Sequence, residues 1–445
     1  MAVKPSAVSS APTPEGAAIP PDAIKQYDAS IDHSDNLTQV ASVPRTAPFN
    51  TEGAISSDLA FTGDYAIGGN YDGFIVYDIS EPSHPSIVSQ VYCPGPQNDV
   101  TVSGNLLFLS VDLRMDGPSC QSKLNAMGGV WEGLRIFDIT DKRNPAFVGA
   151  LAVPCGSHTA TLIPSDDPAN VYLFATSAPG RSGSTECKET QKGKMVVVKV
   201  PVADPAKATI AANPIVMEGG PSPSADGVIV GGCHDVTVHA ATKRAAASCL
   251  GDGLLLDVSD PVAPKVLDRV QDPKHFGYWH SAVFSKDGSK VVFSDEFGGG
   301  QSIVCDPSSK DTWGANGVYT IKSDKLRLEG YFKIPRAALA PKMCSAHNGS
   351  LLPVEGRDIM VQGWYEAGVS VIDFTDPAHA KEIAYFTRDH APTVTPDEFG
   401  GSWSAYFYNG YIYSNDMFMG LDVLKLTGLP LSTAKLTEFN PQTQR

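Results

Sequence analysis

The segment GFIVYDISEPSHP at residues 73–85 is the clearest copy of a repeated unit, in which a short apolar run ends in Asp and is followed by a turn that contains proline. Runs of this length, rich in β-branched and aromatic side chains and bounded by turn residues, predict strands rather than helices. The unit recurs six more times along the chain. Close copies begin at Leu134, Leu254 and Val369, and looser copies begin at Met195, Val318 and Leu421.

A second pattern precedes each copy, as in HSAVFSKDGSKVVFSD from His280: a polar pair, a strand, a turn and another strand. Two strand pairs per repeat form a four-stranded blade, and seven repeats predict an all-β, seven-bladed β-propeller. The strand NLTQVASV from Asn36 is predicted to complete the last blade beside residues 421–426 and so to close the ring. The copies of the second pattern begin at Ser57, Asn98, His158, His234, His280, His347 and Trp403.

These repeats resemble the LVIVD-repeat family of extracellular bacterial β-propeller proteins, whose name describes segments such as GFIVYDIS and VSVIDFTD. The resemblance covers residues 36–428, the predicted propeller, with a C-terminal tail at 429–445. It implies a location at or outside the cell surface and implies no reaction, because a fold does not fix a function.

Composition limits the partners and the compartment. The formal charge of −15 argues against nucleic acid, and no apolar run is long enough for a membrane span. Eight scattered cysteines without a CxxC pair suit disulfides in an oxidising compartment, so we expect a secreted or cell-surface protein. Residues 1–35, rich in Ala, Pro and Ser, are interpreted as a disordered lead-in that followed a removed signal peptide.

Four of the ten histidines occupy the same place in consecutive repeats, the first position of the innermost predicted strand. In a propeller that position lies at the mouth of the central channel, so the four rings are expected to converge. Imidazole is a common ligand of Fe, Cu and Zn, and three protein ligands suffice for a centre with an open position. The sequence therefore predicts one transition-metal ion held by His158, His234, His280 and His347.

The residue after each of these positions is polar in every repeat. One interpretation is that this second ring orients the imidazoles. The other, which we favour, is that it forms hydrogen bonds with the backbones of neighbouring blades. The ring comprises Asp58, Asp99, Thr159, Asp235, Ser281, Asn348 and Ser404.

The connections after the second strand of each blade are expected at the same mouth. Glu296 and Glu366 are the candidate catalytic carboxylates, as general base or extra ligand, because both belong to histidine-bearing blades. Aromatic residues of this rim suit a flat aromatic or apolar substrate, and they equally suit packing between blades. The candidate substrate-binding residues are Trp279, Trp364, Tyr365, Trp403, Asn98 and Tyr71.

The cysteines are interpreted as structural pairs. Cys233 and Cys249 flank the first hairpin of the fourth blade, where antiparallel strands bring them together. A metal-ligating Cys233, next to His234, is the alternative. The hypothetical pairs are Cys233–Cys249, Cys305–Cys344 and Cys93–Cys155, with Cys120 and Cys187 left over.

Three functions fit these features. The favoured one is a secreted metalloenzyme that oxidises a small aromatic or apolar substrate, because four axial histidines resemble, in architecture alone, those of iron-dependent carotenoid-cleaving oxygenases. The second is a hydrolase or lyase that uses a metal-bound water. The third is a binding or scaffold propeller without catalysis. The substrate, the metal and the oligomeric state stay open at this point.

Overall fold

The computed structural model describes residues 30–177, 193–223, 232–306, 309–310, 312–338, 342–388 and 400–445. Within these residues the chain forms strands and turns, and its helical structure is limited to short 3-10 segments. The expected all-β class is therefore confirmed. No helix of this part of the chain combines the length and apolar character that a membrane crossing requires. The 3-10 segments are Pro205–Lys207, Ala240–Thr242 and Pro335–Ala338.

Strands follow one another at short intervals in the first half of the chain. They are β1 Ile31–His33, β2 Leu37–Val43, β3 Ser56–Thr62, β4 Tyr65–Asn70, β5 Gly73–Asp78, β6 Ser86–Tyr92, β7 Gln97–Ser103, β8 Leu106–Met115, β9 Trp131–Asp138, β10 Ala146–Ala152, β11 Ala160–Ile163, β12 Asn170–Ala175, β13 Val196–Pro201, β14 Thr209–Ala212, β15 Asp235–His239 and β16 Arg244–Cys249.

The same rhythm continues to the C-terminus. The remaining strands are β17 Asp252–Asp257, β18 Lys265–Val270, β19 Trp279–Phe284, β20 Lys290–Asp295, β21 Ile303–Cys305, β22 Asn316–Lys322, β23 Lys325–Phe332, β24 Lys342–Met343, β25 Asn348–Leu352, β26 Ile359–Gly363, β27 Val369–Asp373, β28 Lys381–Arg388, β29 Ser402–Tyr408, β30 Tyr411–Asp416, β31 Gly420–Leu426, β32 Glu438–Phe439 and β33 Thr443–Gln444.

Most of these strands belong to antiparallel sets of four. The sets are β3–β6, β7–β10, β11–β14, β15–β18, the set β19, β20, β22 and β23, then β25–β28, and finally β29–β31 with β2, while β21 pairs with β24. The N-terminal strand β2 pairs with β31 from Leu37 opposite Leu426 to Val43 opposite Leu421. This is the pairing expected for the strand from Asn36. Strand β1 adds to β28, with Ile31 opposite Arg388.

The apolar run of the repeated unit at residues 73–77 is buried on both faces of its sheet. Phe74 and Val76 pack in one cluster with Leu107 of β8, whereas Ile75 packs in another with Tyr413 of β30. Alternate side chains of a strand point to opposite faces, so a strand between two neighbouring sheets needs a continuous apolar run. The hydrophobic core accordingly lies between adjacent sheets.

The Asp-ended turn of the repeat has a local cause. The Asp78 carboxylate accepts hydrogen bonds from the Ser80 backbone N–H at 2.9 Å and from the Ser80 hydroxyl at 2.6 Å. Asp138 makes the same pair of bonds with Thr140, at 2.8 and 2.6 Å. Such Asx turns end a strand and start a tight loop. The motif Asp-x-Ser/Thr therefore marks where the third strand of a set ends.

The first strand of each set, here called its inner strand, lies beside the inner strand of the next set. This order runs through β3, β7, β11, β15, β19, β25 and β29, and β29 in turn contacts β3. The number of blades in a closed ring stays a prediction.

The disulfides agree with the predicted pairs in two cases. Cys233 is bonded to Cys249 and Cys305 to Cys344. The predicted pairing of Cys93 with Cys155 was wrong, because Cys93 is bonded to Cys120. Cys93 directly follows β6, and Cys120 lies in the long loop between β8 and β9. The Cα atoms of the two residues lie 4.2 Å apart. Cys155 is itself disulfide-bonded, and Cys187 lies outside the described residues. With its sulfur in a disulfide, Cys233 has no thiolate for a metal.

Candidate metal centre

The four histidines of the predicted centre form a continuous row. The ring centroids of His158 and His234 lie 4.0 Å apart, those of His234 and His280 4.1 Å apart, and those of His280 and His347 4.1 Å apart. All four side chains are buried, with exposed fractions of 1–6%. The fold thus places the four imidazoles side by side, and their joint binding of one ion stays a prediction.

Equivalent backbone positions bring these rings together. The backbone N–H of His158 donates to Thr176, that of His234 to Ser248 and that of His347 to Gly363, each a carbonyl just after or near the end of a second strand. Because each histidine lies within two residues of the start of its inner strand, the side chains emerge at a similar level of neighbouring sheets.

Three of the rings have one nitrogen engaged by an oxygen acceptor. Nδ1 of His158 lies 2.7 Å from a carboxylate oxygen of Asp112, and Nδ1 of His234 lies 3.3 Å from the backbone oxygen of His280. Nδ1 of His347 bonds the backbone oxygen of Trp403. Carbonyl and carboxylate oxygens only accept, so each Nδ1 carries the proton and each Nε2 carries a lone pair.

Glu296 completes the cluster from the connection after β20. Its carboxylate oxygens lie 3.8 Å from Nε2 of His280 and 3.6 Å from Nε2 of His347. One ligand atom each from His234, His280 and Glu296 lie within 4.8 Å of one another, all on buried residues. The Tyr365 hydroxyl donates a hydrogen bond to the same carboxylate. Nδ1 of His280 is buried and has no hydrogen-bond partner among the residues that the structure describes.

Burial keeps the rings of His280 and His347 neutral. Burial lowers the pKa of His280 well below its usual value, and the neighbouring histidines lower it further. Burial likewise lowers the pKa of His347 to about 3, despite the opposing hydrogen bond to Trp403. A neutral imidazole is the form that ligates a metal. At neutral pH neither ring therefore has to lose a proton before it binds a metal ion.

The second polar ring has mainly structural partners. Asp99 accepts a hydrogen bond from the Ala160 backbone N–H at 3.2 Å, and the Ser281 hydroxyl donates to the His347 carbonyl at 3.0 Å. Both bonds join neighbouring sheets, which favours the structural interpretation of this ring. Burial raises the pKa of Asp58, and burial with the charge of Asp58 raises that of Asp235 to about 7.

The other candidate carboxylate lies in a different setting. Glu366 is half-buried, and its carboxylate accepts a hydrogen bond from the Met343 backbone N–H at 2.7 Å. Glu366 is not in the group of ligand atoms formed by His234, His280 and Glu296, and His158 and His347 also lie outside that group. This hydrogen bond fixes the loop of Glu366 against β24.

Two of the candidate tryptophans lie in the hydrophobic core. Trp279 is fully buried, and its ring lies 4.8 Å from Phe276 and 5.1 Å from Phe293. Trp364 is also fully buried, 6.0 Å from Phe332. Trp279 directly precedes His280 in a strand, so its side chain faces the opposite side. These positions favour the packing alternative for both residues.

The remaining candidates gather beside His347. The Tyr365 ring lies 4.6 Å and the Trp403 ring 5.0 Å from the His347 ring, and Tyr71 meets Trp403 edge-on at 6.4 Å. Asn98 instead uses its side-chain N–H groups on the backbone oxygens of Asn70 at 2.8 Å and Cys93 at 3.1 Å. An aromatic wall thus borders one side of the cluster, whereas Asn98 holds a loop.

Two residues of the cluster had not been singled out from the sequence. Asp112 lies in β8, the second strand of its set, and reaches His158 of the next set. Tyr278 lies 5.4 Å from His234, ring to ring. The alternation of strand side chains was the available signal for Tyr278, because it lies two residues before His280 and so on the same side of the strand.

Comparisons with known proteins support the fold. Residues 53–92 match the family model of the LVIVD repeat, which confirms the resemblance over that segment. A search of curated proteins finds no match. The β-propeller domain of Cps50 (Swd1) from Myceliophteria thermophila is 9% identical, with a TM-score of 0.51 over 88% of this chain and 100% of that one. A Lactobacillus plantarum protein is 14% identical, with a TM-score of 0.47 over 86% and 98%. The first of these shows a shared propeller fold and nothing of function.

Proposed function

We propose that this protein binds one transition-metal ion through Nε2 of His158, His234, His280 and His347, with the Glu296 carboxylate as a further ligand or base. The observation that carries the proposal is the engagement of Nδ1 of three rings by fixed oxygen acceptors. Metal-bound histidines usually donate their other ring N–H in this way, and the bond sets both the tautomer and the direction of the free lone pair.

The types of ligand atom limit which metal ions fit the site. Imidazole nitrogens with one carboxylate suit Fe, Cu and Zn, whereas Ca²⁺ and Mg²⁺ prefer shells of oxygen. No thiolate is offered by Cys233, which is bonded to Cys249. An iron or copper ion would supply electron transfer, and a zinc ion would supply an activated water.

Oxidation of a small aromatic or apolar substrate is the reaction that we propose first. Its support is the aromatic wall of Tyr365, Trp403 and Tyr71 next to His347, which suits a flat apolar molecule. The alternative, metal-assisted hydrolysis or elimination, is supported by Glu296, a carboxylate less than 4 Å from two ring nitrogens and able to move a proton. The burial of all four histidines supports a third role, metal binding without catalysis.

We further propose that the sheets close into seven blades and that the protein is secreted or held at the cell surface. Closure is supported by the contact of β29 with β3 and by the pairing of β2 with β31. Secretion is supported by the disulfides and by the LVIVD repeat, which is typical of extracellular proteins.

Metal analysis of untagged protein, purified without an immobilised metal, tests the proposal. We expect about one equivalent of iron, copper or zinc, and loss of that metal in the His280→Ala/His347→Ala variant with an intact fold. The matched control is His84→Ala/His379→Ala, which removes two exposed histidines and should keep the metal. Iron or copper would favour oxidation, and zinc would favour hydrolysis. Metal-free protein that also fails to take up these ions would refute the site.

A further inference from the structure

The C-terminal segment lies in the far mouth of the channel, opposite the histidines. Strand β32 pairs with β3, with Phe439 opposite Phe61, and β33 runs parallel to β15, with Thr443 opposite Val238. These contacts involve the last residues of the inner strands, whereas the histidines lie at their beginnings. The segment therefore closes the end of the channel that the metal centre does not occupy.

Two amide side chains of this segment bind inner strands as a neighbouring strand would. Asn440 accepts from the Val102 N–H through Oδ1 and donates to the Val102 carbonyl through Nδ2, both at 2.8 Å. Gln444 does the same with Phe284, at 2.7 Å and 3.2 Å. Each amide thus satisfies both backbone groups of one residue, as strand addition does in peptide recognition.

The residues between them reach deeper into the channel. The Gln442 side chain donates to an Asp58 carboxylate oxygen at 2.9 Å, and the Gln442 carbonyl accepts from the Val238 N–H at 2.8 Å. The Thr443 hydroxyl donates to the Leu162 carbonyl at 3.0 Å. Asn440, Gln442, Thr443 and Gln444 are all buried, although none is apolar. Burial of so many polar groups is tolerable only because each has a matched partner.

We propose that the far mouth of the channel is a peptide-binding site and that residues 438–444 are its built-in ligand. The ligand class is an extended peptide with side-chain amides at the spacing of Asn440, Gln442 and Gln444. The site recognises this peptide through backbone groups of five inner strands and the Asp58 carboxylate. This inference does not rest on the metal centre, because none of these contacts involves a histidine of the cluster.

A truncated chain that ends at Leu436, with a synthetic peptide of residues 437–445 (TEFNPQTQR), tests the proposal. We expect the truncated protein to melt at a lower temperature, and the peptide to bind it saturably and restore the melting temperature. A peptide with Asn440→Ala and Gln444→Ala should bind at least about tenfold more weakly, because each substitution removes two hydrogen bonds. A peptide with Arg445→Ala, which alters an exposed side chain, should bind like the original. Equal binding of the double-substituted peptide, or no binding of any, would overturn the proposal.

The full-length chain supplies a test that does not need the truncated protein to fold. Hydrogen exchange should find the amide hydrogens of Val102 and Phe284 strongly protected, because Asn440 and Gln444 accept from them. The full-length Asn440→Ala/Gln444→Ala variant should lose this protection at both amides, while Arg445→Ala should keep it. Unchanged protection in the double variant would show that the segment does not bind the inner strands, and would overturn the proposal whatever the metal content.

Discussion

Nδ1 of His158 lies 2.7 Å from Oδ2 of Asp112, so a carboxylate of one sheet holds a histidine of the next. Both side chains are buried. The other two engaged rings, His234 and His347, bond backbone oxygens instead. A carboxylate is a stronger acceptor than a carbonyl and raises the electron density of the imidazole, so among the histidines His158 is expected to donate most strongly to a metal at the proposed centre.

Replacement of Asp112 by Asn tests this relationship. The amide keeps the shape of the side chain and removes its charge, so we expect metal affinity to fall by about 10–100-fold while the fold is retained. Competition with a chromophoric chelator measures the change. The control is Asp64→Asn, at an exposed turn, which should leave the affinity unchanged. Equal affinity of the Asp112 and Asp64 variants would show that His158 is not a ligand.

The row of histidines was predictable because it depends on register. Each repeat carries its own strand and turn signals, so aligning the repeats also aligns His158, His234, His280 and His347 at one level of the channel. Glu296 followed from the same alignment, since it comes directly after the second strand of the His280 set.

Contacts across sheets were harder to predict. Asp112 lies beside a β-strand irregularity between Val111 and Met115, where the pairing of β8 with β9 shifts, so simple alternation does not give its direction. The C-terminal segment shows no apolar period, because Asn440 and Gln444 bind through hydrogen bonds rather than hydrophobic contact. Such a sequence looks like an exposed tail until its partners are known.

Acid should destabilise the metal-free protein through its buried histidines. The pKa of His347 falls from about 6.5 in the unfolded chain to about 3 in the folded protein, so between these values the unfolded state binds the extra proton. The stability that neutral His347 contributes is complete above pH 6.5 and declines as the pH falls towards 3. From pH 8 to pH 5 this single group should lower the free energy of unfolding by about 2 kcal/mol.

Urea denaturation of metal-free wild type and of His347→Gln at several pH values measures this effect. The Gln variant has no group to titrate at this position, so its stability should fall by about 2 kcal/mol less over the same range. His379→Gln, at an exposed position, is the control and should follow the wild type. Parallel curves for all three proteins would contradict the prediction.

Removal of the Tyr365 hydroxyl should lower the stability of the protein through its effect on the Glu296 carboxylate. This hydroxyl donates to the buried carboxylate, so Tyr365→Phe leaves a charged oxygen without that donor and should cost about 1–3 kcal/mol of stability. Because a bound cation would balance the carboxylate, we expect added metal to restore more stability to the variant than to the wild type. Thermal melts with and without metal measure the difference.

Tyr331→Phe is the matched control for that experiment. Tyr331 lies in β23, the last strand of its set, and its hydroxyl also donates to a carboxylate, that of Asp272. This variant should lose stability too, but added metal should raise its melting temperature no more than it does in the wild type. If metal restored both variants equally, Tyr365 would have no particular relation to the proposed centre.

For Asp99 we predict the opposite pH dependence, in which stability is lost as the pH rises. Burial raises its pKa well above the usual value, and the charges of Asp58 and Asp235 raise it further. A carboxyl whose pKa is raised on folding stabilises the protein fully only below its unfolded pKa of about 3.9, and that stability is lost as the pH rises. Asn at this position does not ionise and keeps an oxygen for the Ala160 N–H.

We therefore expect Asp99→Asn to be more stable than the wild type at pH 7, and the gain in stability to vanish near pH 4. Urea denaturation at both pH values measures it, with Asp64→Asn as the exposed control. A loss of stability at pH 7 would mean that the Asp99 charge is balanced inside the channel, because only a compensated carboxylate costs stability when its charge is removed.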